Sequence, residues 1–88
     1  MQDVPKKDAT TRLKRARGHL DHVIKMVDTG EYCIDILQQS LAVQSALRAV
    51  DSIILKNHLE EHASEAMHGH DKAKSIKEVV DVFTIARR

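Results

Sequence analysis

The feature that most constrains this chain is a long middle segment, residues 32–65, that contains neither proline nor glycine. Apolar side chains recur through it at the spacing of an α-helix that has one apolar face. A helix of about 34 residues is roughly 50 Å long. Two shorter neighbours cannot cover such a helix along its whole length, so we expect a second copy of the chain to lie against it.

Turn-forming residues divide the rest of the chain. Pro5 lies where helices often begin, Thr29 and Gly30 where one would end, and Gly69 in a short polar link. Apolar residues also recur at helical spacing before Gly30 and, less regularly, after Gly69. We therefore predict an all-α fold of three helices with a long central one, over residues 6–28, 32–65 and 72–86. Two such chains would form an antiparallel four-helix-bundle dimer.

Composition limits the size and the setting of the protein. A chain of 88 residues makes one domain at most, so we predict a single domain over residues 1–88, with residues 1–8 flexible. The single cysteine cannot form an internal disulfide, which suits the reducing cytoplasm. There is no apolar run near 18 residues and no signal-peptide pattern, so we expect neither a membrane span nor secretion.

The near-neutral total of +1 conceals a segregation of charge. Residues 1–25 hold seven Lys or Arg against three Asp, whereas residues 26–69 hold two basic against seven acidic residues. A basic segment on a small chain points weakly to nucleic acid. A solvated helix face is the alternative explanation of the same pattern.

Cys33 and the pair His58 and His62 form the most distinctive chemical pattern. Two histidines spaced i, i+4 project from one helix face and can hold one metal ion. Cys33 lies 25 residues before His58, about 37 Å along a continuous helix, so one chain cannot bring them together. An antiparallel dimer would place Cys33 of one chain beside both histidines of the other. The alternatives are two surface histidines and a small buried cysteine.

Four stretches together make the sequence recognisable: residues 12–21 (RLKRARGHLD), 32–35 (YCID), 42–45 (AVQS) and 57–60 (NHLE). With them, the chain closely resembles the copper-sensing (CsoR-type) repressors from about residue 10 to residue 84. The resemblance implies a helical dimer that assembles into a homotetramer, a dimer of dimers. It also implies a repressor that binds operator double-stranded DNA when metal-free and releases it on binding Cu(I), so that copper efflux or resistance genes are expressed.

The resemblance also assigns roles to individual residues. The metal ligands would be Cys33, His58 and His62. Tyr32 and Glu78 would connect the far nitrogen of His58 to the third helix by hydrogen bonds, and such outer partners fix the orientation of an imidazole ligand. Copper sensors often carry a second cysteine where this chain has His62, which leaves Zn(II) and Ni(II) as alternative metals.

Basic residues along the first two helices are the candidate DNA contacts. Arg12 matches an arginine that the family uses for DNA. A second family arginine aligns with Ala49, and Arg48 lies one position earlier, which is a rotation of about 100° around a helix. The full candidate set is Arg12, Lys14, Arg15, Arg17 and Arg48, with Lys6 and Lys7 ahead of them.

Other histidines and other classes of function offer alternative explanations. His19 and His22 are expected at the bundle or its rim, and His68 and His70 in a polar loop. No catalytic arrangement is evident, so an enzyme is not predicted. The alternatives are a nickel, cobalt or zinc sensor of the same family, a metal-buffering protein without DNA binding, and a thiol redox switch.

Overall fold

The computed structural model of the chain contains three α-helices: α1 at Asp3–Asp28, α2 at Cys33–Met67 and α3 at Lys72–Ala86. It describes the backbone of residues 1–67 and 72–86, and the side chains of these residues except 62–67, 72, 75, 83 and 86. The all-α fold with a long central helix is therefore confirmed. The chain forms two compact units, residues 1–58 and 59–88, and the single domain over residues 1–88 stays a prediction.

Helix α1 begins earlier than the sequence pattern indicated. It starts at Asp3 instead of residue 6, and Pro5 lies inside its first turn. A proline is tolerated there because the first turn of a helix has no hydrogen-bond partner for its N–H groups. Residues 3–8, which were expected to be flexible, are therefore helical in this structure, and their mobility stays a prediction.

The turn between α1 and α2 depends on Gly30. This residue has a φ of 73°, in the left-handed region that glycine adopts without strain. Its N–H donates to the carbonyl of Val27 at 3.1 Å, and the next N–H, from Glu31, donates to Met26 at 3.0 Å. This pair of bonds is the Schellman motif, which satisfies carbonyl groups left open at a helix C-terminus. The predicted helix end at Thr29 and Gly30 is confirmed.

Helices α1 and α2 form an antiparallel hairpin within residues 1–58, and two hydrogen bonds fix its register. The backbone N–H of Gln2 donates to Oδ1 of Asn57 at 3.2 Å. Nearer the turn, Nε2 of His19 lies 2.7 Å from Oε1 of Gln39. Buried positions recur every seven residues on both helices, as in coiled-coil packing. They are Ala9, Ala16 and Val23 on α1, and Val43, Val50 and Asn57 on α2.

This hairpin leaves many large apolar side chains uncovered. The buried side chains of the hairpin are small or medium-sized on α1, where Ala9 and Ala16 occupy two of the buried positions. Besides Val4 near the start of α1, nine large apolar side chains remain exposed in the single chain: Leu13, Leu20, Ile24 and Val27 on α1, and Ile34, Leu37, Leu41, Leu47 and Ile54 on α2. An exposed apolar area of this extent is typical of a surface that a partner covers.

Helix α3 belongs to the second unit, and its described residues are mostly exposed. Nζ of Lys77 lies 3.0 Å from Oδ2 of Asp81, a pairing one turn apart that stabilises an exposed helix only slightly. Within the described part of the chain, no helix has both the length and the apolar character needed to cross a membrane.

Candidate metal centre and DNA-binding surface

Cys33 is the first residue of α2, and its thiol is exposed. Tyr32 precedes it, and the carbonyl of Tyr32 accepts the first hydrogen bond of the helix from the N–H of Ile36 at 3.1 Å. The Tyr32 side chain is also exposed, at 69 %. An accessible cysteine at the end of a helix can serve as a thiolate ligand to a soft metal ion.

His58 lies on the same helix and is half-buried. The 25 residues between Cys33 and His58 correspond to about seven turns, so both side chains project from one face of α2, about 37 Å apart. Since α2 is unbroken, the two residues do not meet within one chain. Among the side chains that the structure describes, no group of three or more His, Cys, Asp or Glu converges on a possible metal site.

The remaining residues of the predicted centre are placed only in part. His62 follows one turn after His58 on α2, but its side chain lies outside the described residues, as do His68 and His70. Glu78 is exposed on α3, in the second compact unit. The ligand role of His62 and the hydrogen-bonded connection among Tyr32, Glu78 and His58 therefore stay predictions.

A regular row of residues connects Cys33 to His58 along one face of α2, and we call it the α2 seam. Its members alternate in steps of four and three residues, which is the heptad spacing of helices that pack side by side. Between the two ends, the seam contains Leu37, Ser40, Gln44, Leu47, Asp51 and Ile54. Its three apolar members are at least 40 % exposed, so the single chain leaves this face uncovered.

Four basic residues in the middle of α1 are all exposed and form two pairs. Arg12 and Arg15 are spaced i, i+3 and so lie on one side of the helix, and Lys14 and Arg17 share the neighbouring side. Nε of Arg12 lies 2.9 Å from Oδ1 of Asp8. Phosphate binding would compete with this exposed ion pair, which is worth well under 1 kcal/mol.

On α2, the structure distinguishes the two positions considered for the second DNA-contacting arginine. Arg48 is exposed, and its Nη2 donates to Oγ of Ser45 at 3.2 Å. Ala49 is half-buried. A guanidinium that is accessible at position 48 can reach a phosphate, and its role in DNA binding stays a prediction.

Two residues that make interhelical hydrogen bonds, His19 and Asn57, were not singled out as functional from the sequence. His19 is half-buried and bonds to Gln39, whereas the neighbouring His22 is exposed. Asn57 is only 2 % exposed and holds the start of α1. The heptad spacing of Asn57 from Val43 and Val50 is a signal that would have placed this polar residue in the hairpin contact.

The chain is a small all-α protein whose helical hairpin exposes an apolar face. The profile of the metal-sensitive transcriptional repressors matches residues 5–84. Because this match covers most of the chain, the protein belongs to the metal-sensitive transcriptional repressor family.

Known proteins of this kind resemble the chain along most of its length. It is 43 % identical over 77 residues to the copper-sensing transcriptional repressor CsoR of Mycobacterium tuberculosis H37Rv, covering 86 % of this chain and 64 % of that relative. Bacillus subtilis CsoR is 37 % identical over 78 residues, which is 89 % of this chain and 77 % of that relative. The chain thus spans less than two thirds of the length of the mycobacterial relatives.

A solved structure has the same fold. The copper-sensing repressor CsoR with Cu(I) from Geobacillus thermodenitrificans NG80-2 matches with a TM-score of 0.86 and 32 % sequence identity. The match covers 100 % of this chain and 93 % of that one. The resemblance inferred from short motifs is therefore confirmed for the family and for the fold.

Proposed function

We propose that the protein is a transcriptional repressor that binds operator DNA when metal-free and releases it on binding Cu(I). The observation that carries the proposal is the placement of Cys33 and His58 on one face of an unbroken helix, at opposite ends of the α2 seam. The similarity of the whole chain to proteins named as copper-sensing repressors supports the same function.

The α2 seam supplies a register for the dimer. In an antiparallel pair that sets Cys33 of one copy opposite His58 of the other, Leu37 faces Ile54 and Gln44 faces Leu47. Leu37 and Ile54, which are 55 % and 40 % exposed in the single chain, would then cover each other. Two-fold symmetry produces two equivalent sites, one at each end of the seam.

The donor atoms suit a soft ion. One thiolate and two imidazoles, from Cys33, His58 and His62, match the preference of Cu(I), whereas nickel and cobalt generally take more donors. When bound, the metal would hold the Cys33 end of one helix against the histidine end of the other. Tyr32 and Glu78 would orient the His58 imidazole through hydrogen bonds.

The exposed basic residues of α1 would bind the DNA backbone. An assembly of four chains, a dimer of dimers, repeats Arg12, Lys14, Arg15 and Arg17 four times, and Arg48 extends the surface onto α2. A change in dimer geometry would misalign these groups with the phosphates. A coupling free energy of about 1–3 kcal/mol changes DNA affinity about 5- to 150-fold. The site of action would be the cytoplasm, where the operator lies.

The test is a titration of Cys33→Ala with Cu(I) in the presence of DNA taken from upstream of the gene. We expect this variant to bind the DNA as the wild type does and to remain bound when Cu(I) is added. His22→Ala is the matched control, because His22 is an exposed helical histidine outside the site, and it should release the DNA normally. Normal release by Cys33→Ala would contradict the ligand role.

X-ray absorption of the copper-loaded protein counts the donors independently of DNA. The expected result is one sulfur and two nitrogen donors around each Cu(I). A fourth, oxygen donor together with preferential binding of Zn(II) would support a zinc sensor instead. Absence of salt-dependent DNA binding by the metal-free protein would support a metal-buffering protein.

A further inference from the structure

The interhelical bond at the open end of the hairpin lies next to a proposed metal ligand. The side chain of Asn57 accepts the Gln2 N–H at 3.2 Å, and His58 is the next residue of α2. Asn57 is the one polar residue that is fully buried among the described side chains. A backbone N–H can only donate, so the acceptor must be the amide oxygen.

Gln2 is held at both of its backbone groups. Its N–H binds Asn57, and its carbonyl accepts the N–H of Lys6 at 3.0 Å, which opens the helix. No side chain of its own segment caps this helix end. The position of the first turn of α1, including the basic Lys6 and Lys7, therefore depends on where α2 holds the Asn57 amide.

We propose that Asn57 is a positioning residue that transmits metal binding at His58 to the basic N-terminal end of α1. The inference rests on the proposed function and adds the route from the metal to the DNA-binding helix. A rotation of α2 by about 20° would move an atom at its outer radius of 5–6 Å by about 2 Å. That displacement exceeds the tolerance of a hydrogen bond that is already 3.2 Å long.

The cleanest perturbation leaves α2 untouched. Gln2 has a φ of −63°, which is the value that proline imposes, so Gln2→Pro removes the N–H donor and preserves the backbone conformation. Gln2→Ala is the matched control, because it removes the side chain and keeps the donor. On the other side of the bond, Asn57→Ala removes the acceptor and Asn57→Asp restores an oxygen.

The readout is the ratio of the DNA affinity of the metal-free protein to the DNA affinity of the Cu(I)-loaded protein. The affinity of the protein for Cu(I) is measured separately, in the absence of DNA. We expect Gln2→Pro and Asn57→Ala to reduce the ratio about tenfold, with Cu(I) affinity changed less than about threefold. Gln2→Ala should keep the wild-type ratio, and Asn57→Asp should recover most of it. Gln39→Ala removes the interhelical bond between His19 and Gln39, about 27 Å away along α2, and should leave the ratio unchanged.

The possible outcomes separate this proposal from the one on which it rests. If the wild type itself fails to release DNA with Cu(I), the proposed function is wrong. If the wild type responds and Gln2→Pro has the same ratio, the coupling role of Asn57 is overturned. Equal weakening of DNA binding in both metal states would also overturn it, because a merely structural bond would act in that way.

Discussion

Truncation of Leu37 tests whether the α2 seam is a dimer interface. Full burial of a leucine side chain stabilises by about 1.5–3 kcal/mol. Leu37 is 55 % exposed in the single chain, so covering the rest would add about 1–1.5 kcal/mol per copy. Two-fold symmetry doubles the effect to about 2–3 kcal/mol, and Leu37→Ala should raise the dimer Kd by about 30- to 150-fold.

Sedimentation equilibrium over a range of protein concentrations measures this change directly. Val4→Ala is the control, because Val4 is an apolar residue that is 80 % exposed but lies outside the seam. Its dimer Kd should stay within about twofold of the wild type. The proposed register would be refuted if Leu37→Ala had the same dimer Kd as the wild type. It would also be refuted if Leu37→Ala and Val4→Ala raised the dimer Kd equally.

Four further substitutions test the turn, the DNA contacts and the coupling. Gly30→Ala forces a side chain into a left-handed conformation, and thermal unfolding should show a loss of about 1–2 kcal/mol. Arg12→Ala should lower by about 0.9 the slope of log DNA affinity against log salt in a binding titration. Asp8→Ala should instead strengthen DNA binding slightly, since it frees the Arg12 guanidinium from its ion pair. Glu78→Ala should keep tight Cu(I) binding and lose DNA release, and equal losses of both would argue against a transmitting role.

Local sequence signals were sufficient for the existence of the three helices and for the turn between the first two. The left-handed requirement at Gly30 and the absence of proline and glycine from the following 38 residues fixed the hairpin turn and the long helix. The start of α1 was misplaced because Pro5 was treated as a boundary. A proline in the first turn disrupts no hydrogen bond, so the helix extends before it.

The pairing of α1 with α2 was harder to predict. Apolar periodicity marked Leu13, Leu20 and Leu37 as strongly as Val50, yet only Val50 is buried within the chain. On α1 the buried positions that recur every seven residues are Ala9, Ala16 and Val23, and the leucines lie between them. Periodicity reports which side chains avoid water, and it does not tell whether the same chain or a second copy covers them.

The sequence marked candidate ligands by residue type and spacing, and the metal site that they would form stays a prediction. The structure adds that Cys33 and His58, about seven turns apart on one helix, share a face. The Asn57 bond was not predicted, since nothing in the sequence names the backbone group that a buried amide will contact. A hydrogen bond between two residues 55 positions apart in the sequence depends on the register of α1 against α2, which the tertiary structure sets.

The most direct test of a site shared between two chains mixes Cys33→Ala with His58→Ala. Each variant alone should bind almost no Cu(I) in a chelator competition assay. After joint refolding at equal amounts, half of the dimers are mixed and each has one intact site, so about 0.25 Cu(I) per chain should bind. A control mixture of Cys33→Ala with Cys33→Ala/His58→Ala has no intact site and should bind none. Recovery of about one quarter is the predicted result, and no recovery in demonstrably mixed dimers would contradict the account.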